Sequence, residues 1–184
     1  MKRALLIIDY TYDFVADDGK LTCGKPGQEI DDAIVNLIME FEDTKEPIFV
    51  LRDLHYESDK AHPESKLFPP HNQFGSPGRE LYGNTAKALE ELTREHPEQV
   101  TWMDKTRYSS FVRTSLTEKL DELGVDAVEL AGVCTDICIL HTAIGAYNLG
   151  YDVIVPQNAV ASFSQEGHTF ALNHFKSCLG AKLV

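Results

Sequence analysis

The chain has 184 residues, enough for one domain with a substantial core that needs no disulfide or metal to hold it together. Its 43% hydrophobic and 25% charged residues are ordinary for a globular protein. The 29 acidic residues outnumber the 17 basic ones, and the net charge of −12 argues against nucleic acid or an anionic membrane surface as a partner. A neutral small molecule remains compatible with this charge.

The start of the chain shows no targeting segment, because Met1-Lys2-Arg3 leads into an apolar run too short for the core of a signal peptide. No stretch has the length of a membrane span. We therefore expect a cytoplasmic protein whose cysteines stay reduced. These cysteines are Cys23, Cys134, Cys138 and Cys178. The Cys134-x3-Cys138 spacing matches neither a redox pair nor a zinc knuckle.

The first half of the chain predicts two strands, one helix and a long loop. The apolar run Ala4–Ile8 predicts a buried parallel strand, and Ile48–Leu51 predicts a second. Between them, Ile30–Phe41 carries one apolar stripe and predicts an amphipathic helix. Residues 53–83 contain four prolines and little periodicity. Their aromatic and histidine content favours an ordered loop that forms a site.

The second half alternates predicted helices and strands. Helices are predicted at Thr85–Glu95, 116–123, after Cys138 up to Gly150, and Gly167–Phe175, and strands at Val100–Met103, Ala127–Ala131, Tyr151–Val155 and Ala181–Val184. This alternation predicts an α/β fold, a mostly parallel, doubly wound (Rossmann-like) sheet with helices on both faces.

One cysteine lies where a nucleophile of an α/β protein is expected. Between the strand at Ala127–Ala131 and the next helix lies a tight turn, with Thr135 or Asp136 placed to cap that helix. Cys138 then falls in its first turn, where free N–H groups and the helix dipole favour a thiolate and an oxyanion. The alternative is that the cysteine is small apolar packing in the core.

Polar residues follow the strands at one edge of the predicted sheet, where ligands of open α/β sheets bind. Asp9 follows the first strand, Lys105 follows the third, and Cys138 follows the fourth. A carboxylate can take the thiol proton, and an ammonium can stabilise both anions. The thiolate could then attack a carbonyl carbon, with turn N–H groups donating hydrogen bonds to the oxyanion.

A second polar group follows the second strand. Asp53-x-His55 is followed by Glu64 and His71, and a loop could bring all four together. Two imidazoles and two carboxylates suit Zn²⁺, Fe²⁺ or Mn²⁺. His62 is a spare candidate. The alternative is a polar loop with solvated histidines; we interpret His96, His141, His168 and His174 as structural or solvated.

The order of these motifs resembles the isochorismatase-like cysteine hydrolases, and within them the bacterial nicotinamidases (pyrazinamidases), over essentially the whole chain. The Thr135-Asp136-x-Cys138 element is typical of the superfamily, and the metal-loop pattern narrows the likeness to nicotinamidases. The matching pieces are Ile8-Asp9-Tyr10 with Asp13-Phe14, Asp53-x-His55, His62-Pro63-Glu64, Phe68-Pro69-Pro70-His71, Asp104 to Phe111 and Gly132 to Cys138. The likeness implies a single hydrolase domain over residues 1–184.

The resemblance also implies roles at the nucleophile. Cys138, not Cys134, would attack the amide, Asp9 would be the base and Lys105 the third catalytic residue. The Val133–Cys134 peptide would be cis, and the N–H groups of Cys134 and Cys138 would form the oxyanion hole. Nicotinamide or pyrazinamide would be the substrate, and nicotinic acid would leave after hydrolysis of a thioester.

The resemblance further implies a divalent metal, zinc first and Fe²⁺ or Mn²⁺ as alternatives, that binds the pyridine nitrogen. Its ligands would be Asp53, His55, Glu64 and His71. Phe14, Leu21, Phe68 and Tyr108 are predicted to contact the substrate ring.

Three other functions stay open at this point. One is another isochorismatase-like hydrolase acting on a different small amide. Another is a non-enzymatic metal-binding domain with an inert thiol, and the third is a thiol-disulfide sensor built on Cys134 and Cys138. The sequence also leaves open the metal, the range of amides and the oligomeric state, a homo-oligomer included.

Overall fold

The computed structural model describes residues 1–184, and its centre is one parallel sheet of seven strands. The strands follow the spatial order β3-β2-β1-β4-β5-β7, and β6 pairs with β4 beyond the end of β5. Their bounds are β1 Arg3–Ile8, β2 Ile48–Asp53, β3 Val100–Lys105, β4 Ala127–Val133, β5 Asp152–Val155, β6 Val160–Ala161 and β7 Lys182–Leu183.

Seven α-helices connect the strands: α1 Tyr12–Val15, α2 Lys25–Glu29, α3 Asp31–Thr44, α4 Gly83–Glu95, α5 Leu116–Glu122, α6 Leu140–Leu149 and α7 Gln165–Cys178. A π-helical turn at Thr135–Ile139 precedes α6. Three 3₁₀ turns lie at Pro63–Lys66, Pro77–Arg79 and Gln157–Ala159. None of the helices combines the length and the apolar character that crossing a membrane requires.

Helices cover both faces of the sheet, as β1 illustrates. Successive side chains of a strand point to opposite faces of the sheet. All residues of β1 after Arg3 are buried, so both faces of this strand are covered. Leu5 and Ile7 belong to a core shared with α3 and α4. Leu6 and Ile8 belong to a second core shared with α5, α6 and α7. The prediction of a doubly wound parallel sheet is therefore confirmed.

The predicted elements occur in the predicted order, with differences at their ends. β2 and β3 continue to Asp53 and Lys105, so these two residues close their strands rather than follow them. The helix predicted at Gly167–Phe175 begins earlier, where the Ser164 side chain accepts the Gly167 N–H. The short helices α1 and α2 and the two-residue strand β6 were not predicted, because elements this short show no periodicity.

Candidate active site

Asp9, the residue directly after β1, places a carboxylate at the edge of the sheet. Asp9 is fully buried and has a φ of +56°, a left-handed conformation that aspartate tolerates better than most residues. Its N–H still donates to the Leu51 carbonyl at 2.8 Å, and its Oδ1 accepts the Asp53 N–H at 2.8 Å. The carboxylate thus continues the hydrogen bonding between β1 and β2 beyond the last residue of β1.

Lys105 closes β3 directly beside Asp53 in the register of the sheet. Its side chain is fully buried, and its Nζ lies 2.6 Å from Asp9 Oδ2 and 3.5 Å from Asp53 Oδ1. The same ammonium donates to the Arg107 carbonyl at 3.2 Å and lies 3.6 Å from the Cys138 sulfur. The structure therefore brings the predicted amine, carboxylate and thiol together.

Cys138 lies in the π-helical turn rather than in the first turn of an α-helix. The Ile139 N–H donates to the Cys134 carbonyl at 3.2 Å, and the preceding Val133–Cys134 peptide is cis, as the resemblance implied. Neither predicted cap is present. Thr135 Oγ1 hydrogen-bonds His168 Nδ1 at 2.8 Å, and Asp136 accepts the Ser162 hydroxyl at 2.6 Å. Both side chains tie the turn to the segment at the start of α7.

The electrostatics of the three groups follow from their burial. Burial raises the pKa of Asp9 to about 6, although Lys105 lowers it. Burial opposes the charge on Lys105, yet Asp53 and Asp9 outweigh it and raise the pKa of the ammonium well above its usual range. Burial likewise raises the pKa of the Cys138 thiol, against the effect of Lys105. Burial thus favours the thiol form of Cys138, and Lys105 opposes this by stabilising the thiolate.

Four predicted metal ligands converge at the ends of β2 and of the loop after it. One donor atom from each of Asp53, His55, Glu64 and His71 lies within 4.8 Å of the other three, and all four side chains are buried. His55 Nε2 is 2.5 Å from Asp53 Oδ2, and His71 Nε2 is 3.5 Å from that oxygen and 3.6 Å from Glu64 Oε2.

The donor set fits a divalent cation. His71 Nδ1 hydrogen-bonds the Pro69 carbonyl at 2.8 Å, which leaves Nε2 facing the cluster without a hydrogen-bond partner. Burial disfavours a charged His71, but the carboxylates of Asp53 and Glu64 raise its pKa to about 10. The cluster therefore attracts positive charge, and two imidazole nitrogens with two carboxylates are ligands that Zn²⁺, Fe²⁺ and Mn²⁺ accept.

His62, the spare candidate, lies outside this set. Its Nε2 hydrogen-bonds the Thr106 carbonyl at 2.8 Å, and its Nδ1 accepts the Glu64 N–H at 3.3 Å. The ring packs against His55 with the centroids 4.4 Å apart. Because both nitrogens are engaged with the backbone, the role left to His62 is to hold the loop of Glu64 against the segment that follows Lys105.

A small apolar cavity joins the thiol to the metal-ligand group. The four residues predicted to contact a substrate ring, Phe14, Leu21, Phe68 and Tyr108, line it together with Glu64 and Cys138. Its remaining lining residues are Val133, Cys134, Ile137 and Phe163. Phe163 was missed, because it follows the unpredicted strand β6. The cavity thus borders both the Cys138 thiol and Glu64, one of the four candidate metal ligands.

A buried arginine behind the site was also missed. Arg79 Nε donates to the Asp53 carbonyl at 2.9 Å, and its guanidinium pairs with Asp104 across the ends of β2 and β3. The residue lies in the loop without periodicity, so no pattern distinguishes it from a solvated arginine. Its contacts link the backbone of Asp53 to the side chain of Asp104, the residue before Lys105.

The chain is similar to known proteins over its whole length. Residues 3–183 match the Isochorismatase domain family. An uncharacterized isochorismatase family protein, PncA of Bacillus subtilis, is 52% identical over 184 residues and 100% of both chains. The pyrazinamidase/nicotinamidase structure of Streptococcus mutans covers 100% of both chains with a TM-score of 0.95 and 54% identity. The pyrazinamidase of Pyrococcus horikoshii in complex with zinc covers 100% of this chain and 99% of its own, with a TM-score of 0.85 and 26% identity.

Proposed function

The chain belongs to the isochorismatase family, and from this premise we propose that it is a nicotinamidase that uses Cys138 as its nucleophile. It converts nicotinamide to nicotinic acid and ammonia, with residues 1–184 acting as one hydrolase domain. The observation that carries the proposal is the position of the Lys105 ammonium, 2.6 Å from Asp9 and 3.6 Å from the sulfur of Cys138, which lines a cavity shared with the metal-ligand candidate Glu64.

Acylation starts with proton transfer from the Cys138 thiol to the Asp9 carboxylate. The Lys105 ammonium lies 2.6 Å from Asp9 Oδ2 and 3.6 Å from the Cys138 sulfur, so the base and the thiol are held beside the same positive charge. The sulfur attacks the carboxamide carbon, and the N–H groups of Cys134 and Cys138 donate hydrogen bonds to the developing oxyanion. The C–N bond then breaks, and the leaving nitrogen takes the proton from Asp9 and departs as ammonia.

Deacylation uses the same groups in the reverse direction. Asp9, again a carboxylate, takes a proton from a water molecule that attacks the thioester carbon. The C–S bond breaks, nicotinic acid forms, and the Cys138 sulfur recovers the proton. Lys105 stays protonated throughout, because Asp9 and Asp53 stabilise its charge. It therefore acts as the fixed positive charge that stabilises the Asp9 carboxylate before proton transfer and the Cys138 thiolate after it.

Asp53, His55, Glu64 and His71 would hold a divalent cation, which we propose to be zinc, with Fe²⁺ and Mn²⁺ as alternatives. Such a cation would bind the pyridine nitrogen, orient the ring and withdraw electron density from the carboxamide. The ring itself would pack between Phe14, Leu21, Phe68 and Tyr108, which line the cavity. We also place the activity in the cytoplasm, because the nucleophile must remain a free thiol.

The test is to incubate the purified protein with nicotinamide and measure ammonia, before and after removal of metal with a chelator. We expect release of ammonia that the chelator abolishes and that added Zn²⁺ or Mn²⁺ restores. Pyrazinamide should be hydrolysed as well, since it keeps a ring nitrogen and the carboxamide. Absence of ammonia from nicotinamide, with release from another small amide, would instead identify a sibling hydrolase of the same family.

A further inference from the structure

We propose that Asp13 is a positioning residue for the metal centre. Its buried carboxylate fixes the backbone of Asn72 and, through it, the two histidine ligands His55 and His71. The proposal rests on the metal site proposed above. Asp13 itself does not contact the ligand atoms.

The Asp13 side chain is 6% exposed, and both of its oxygens accept main-chain N–H groups. Oδ2 accepts the Asn72 N–H at 2.8 Å, and Oδ1 accepts the Lys20 N–H at 3.3 Å. Neither contact is to a basic side chain. A carboxylate buried without a cation is held by its hydrogen bonds, so its position and that of the two donors depend on each other.

Asn72 connects the two histidine ligands. It follows His71 directly, and its own carbonyl accepts the His55 N–H at 3.1 Å. The residue is fully buried with a φ of +43°, a left-handed conformation that asparagine tolerates better than most residues. Since the Asn72 side-chain amide has no hydrogen-bond partner, the contacts that hold this residue are those of its backbone.

Gly78 supplies the space that the Asp13 carboxylate occupies. A Cβ at Gly78 would lie 2.1 Å from Asp13 Oδ2, so only glycine fits while the carboxylate is in place. The segment after the metal loop, from Gly78 to the buried Arg79, is thereby packed against Asp13. The position of the Asp13 carboxylate therefore depends on glycine at position 78.

Loss of this carboxylate would leave the Asn72 N–H buried without an acceptor. The peptide group could then relax, and both histidine rings would lose their fixed directions. Groups that orient metal ligands from behind typically change metal affinity about 10- to 100-fold when they are removed. We therefore expect the effect in metal retention, even where the fold survives.

The experiment loads the protein with Zn²⁺ and follows its transfer to a coloured chelator. Wild type should release zinc slowly, and Asp13→Ala should release it at least about ten-fold faster. Asp13→Asn keeps an oxygen that can accept the Asn72 N–H, so it should release zinc more slowly than Asp13→Ala. Equal rates for these two variants would contradict the hydrogen bond as the cause.

Asp31 offers a matched control away from the site. Its carboxylate also accepts main-chain N–H groups, from Asn84 at 2.7 Å and Thr85 at 2.9 Å, and it also packs against a glycine, Gly83. Asp31→Ala should lower stability while leaving zinc release unchanged. Equal acceleration in Asp31→Ala and Asp13→Ala would reduce the effect to general destabilisation and overturn the proposal.

Gly78→Ala provides a second route if Asp13→Ala fails to fold. The added methyl group displaces the Asp13 carboxylate without removing it, and zinc release should accelerate in the same direction. Release at the wild-type rate from every variant that folds would overturn the positioning role. A wild-type protein that takes up no zinc, iron or manganese would instead overturn the proposed metal site, which is a separate failure.

Discussion

Lys105→Met removes the charge on which the proposed chemistry depends while keeping most of the side chain. The ammonium is fully buried between the carboxylates of Asp9, at 2.6 Å, and Asp53, at 3.5 Å. Methionine fills a similar volume and adds no polar atom. The substitution therefore isolates the loss of one positive charge from the loss of packing.

Two consequences follow from the structure. Removing one partner of a buried ion pair destabilises proteins by about 3–5 kcal/mol, because it leaves a buried charge without compensation. For a chain of this length about 1 kcal/mol lowers the melting temperature by about 2–4 °C, so the loss should be about 6–20 °C. The pKa of Asp9 should also rise from its value of about 6, since Lys105 lowers it, and the protonated group is no longer a base.

Thermal unfolding and ammonia release measure the two effects separately. We expect the lower melting temperature together with a loss of activity of about 10²- to 10⁴-fold, the range in which acid–base catalysis contributes. Lys25→Met is the matched control, because Lys25 pairs with Glu29 at 3.7 Å on the surface and its side chain is 82% exposed. Exposed pairs contribute little, so this variant should match wild type in both assays.

The reasoning fails if Lys105→Met melts within about 2 °C of wild type, a shift below about 1 kcal/mol for a protein of this size. It also fails if the folded variant keeps more than about a tenth of the activity, since a catalytic charge should contribute about a hundred-fold or more. Either result would mean that the two carboxylates are neutralised by another group.

Three further predictions concern the thiols, the cavity and the metal. Cys138→Ala should fold and release no ammonia, whereas Cys134→Ala should keep most of the activity because only its backbone N–H is needed; substantial turnover by the first variant would exclude Cys138 as nucleophile. Tyr108→Phe should resemble wild type, and Tyr108→Ala should raise KM about ten-fold through lost apolar contact, which a KM unchanged in steady-state assays would contradict. Chelation should release one metal ion per chain in a mass-spectrometric metal analysis, and Glu64→Gln should bind it more weakly; full occupancy of that variant after dialysis would remove Glu64 from the ligand set.

Most of the fold was predictable because the strands of a parallel sheet covered on both faces have continuous apolar sequences. Ala4–Ile8 and Ile48–Leu51 have no polar residue, and the helices between strands carry an apolar stripe. The ends of elements were less predictable. Thr135 and Asp136 are good capping residues by type, yet they bond His168 and Ser162, which lie far along the chain. Tertiary partners of this kind leave no local signal.

The candidate site was also predictable only in part. Residues that follow strands could be assigned to one edge of the sheet, so Asp9, Lys105 and Cys138 were predicted to meet. The raised pKa of Cys138 was not predicted, because the dipole of the helix is visible in the pattern and the burial of the sulfur is not. Arg79 and Asp13 were missed as supporting residues for the same reason, since their partners are backbone groups of distant segments.

The site depends on strand register more than on any single side chain. Ile8 pairs with Gly132 on one side and with Leu51 on the other, so Asp9 leaves β1 between the ends of the two strands that lead to Cys138 and Asp53. A Cβ at Gly132 would lie 2.0 Å from the Ile8 carbonyl oxygen, so the close approach of β4 to β1 requires glycine there. A slip of one residue would turn every side chain of a strand to the opposite face and separate base, amine and thiol. The order of β1, β2, β3 and β4 in the sheet is thus the physical reason that residues from distant parts of the sequence form one catalytic group.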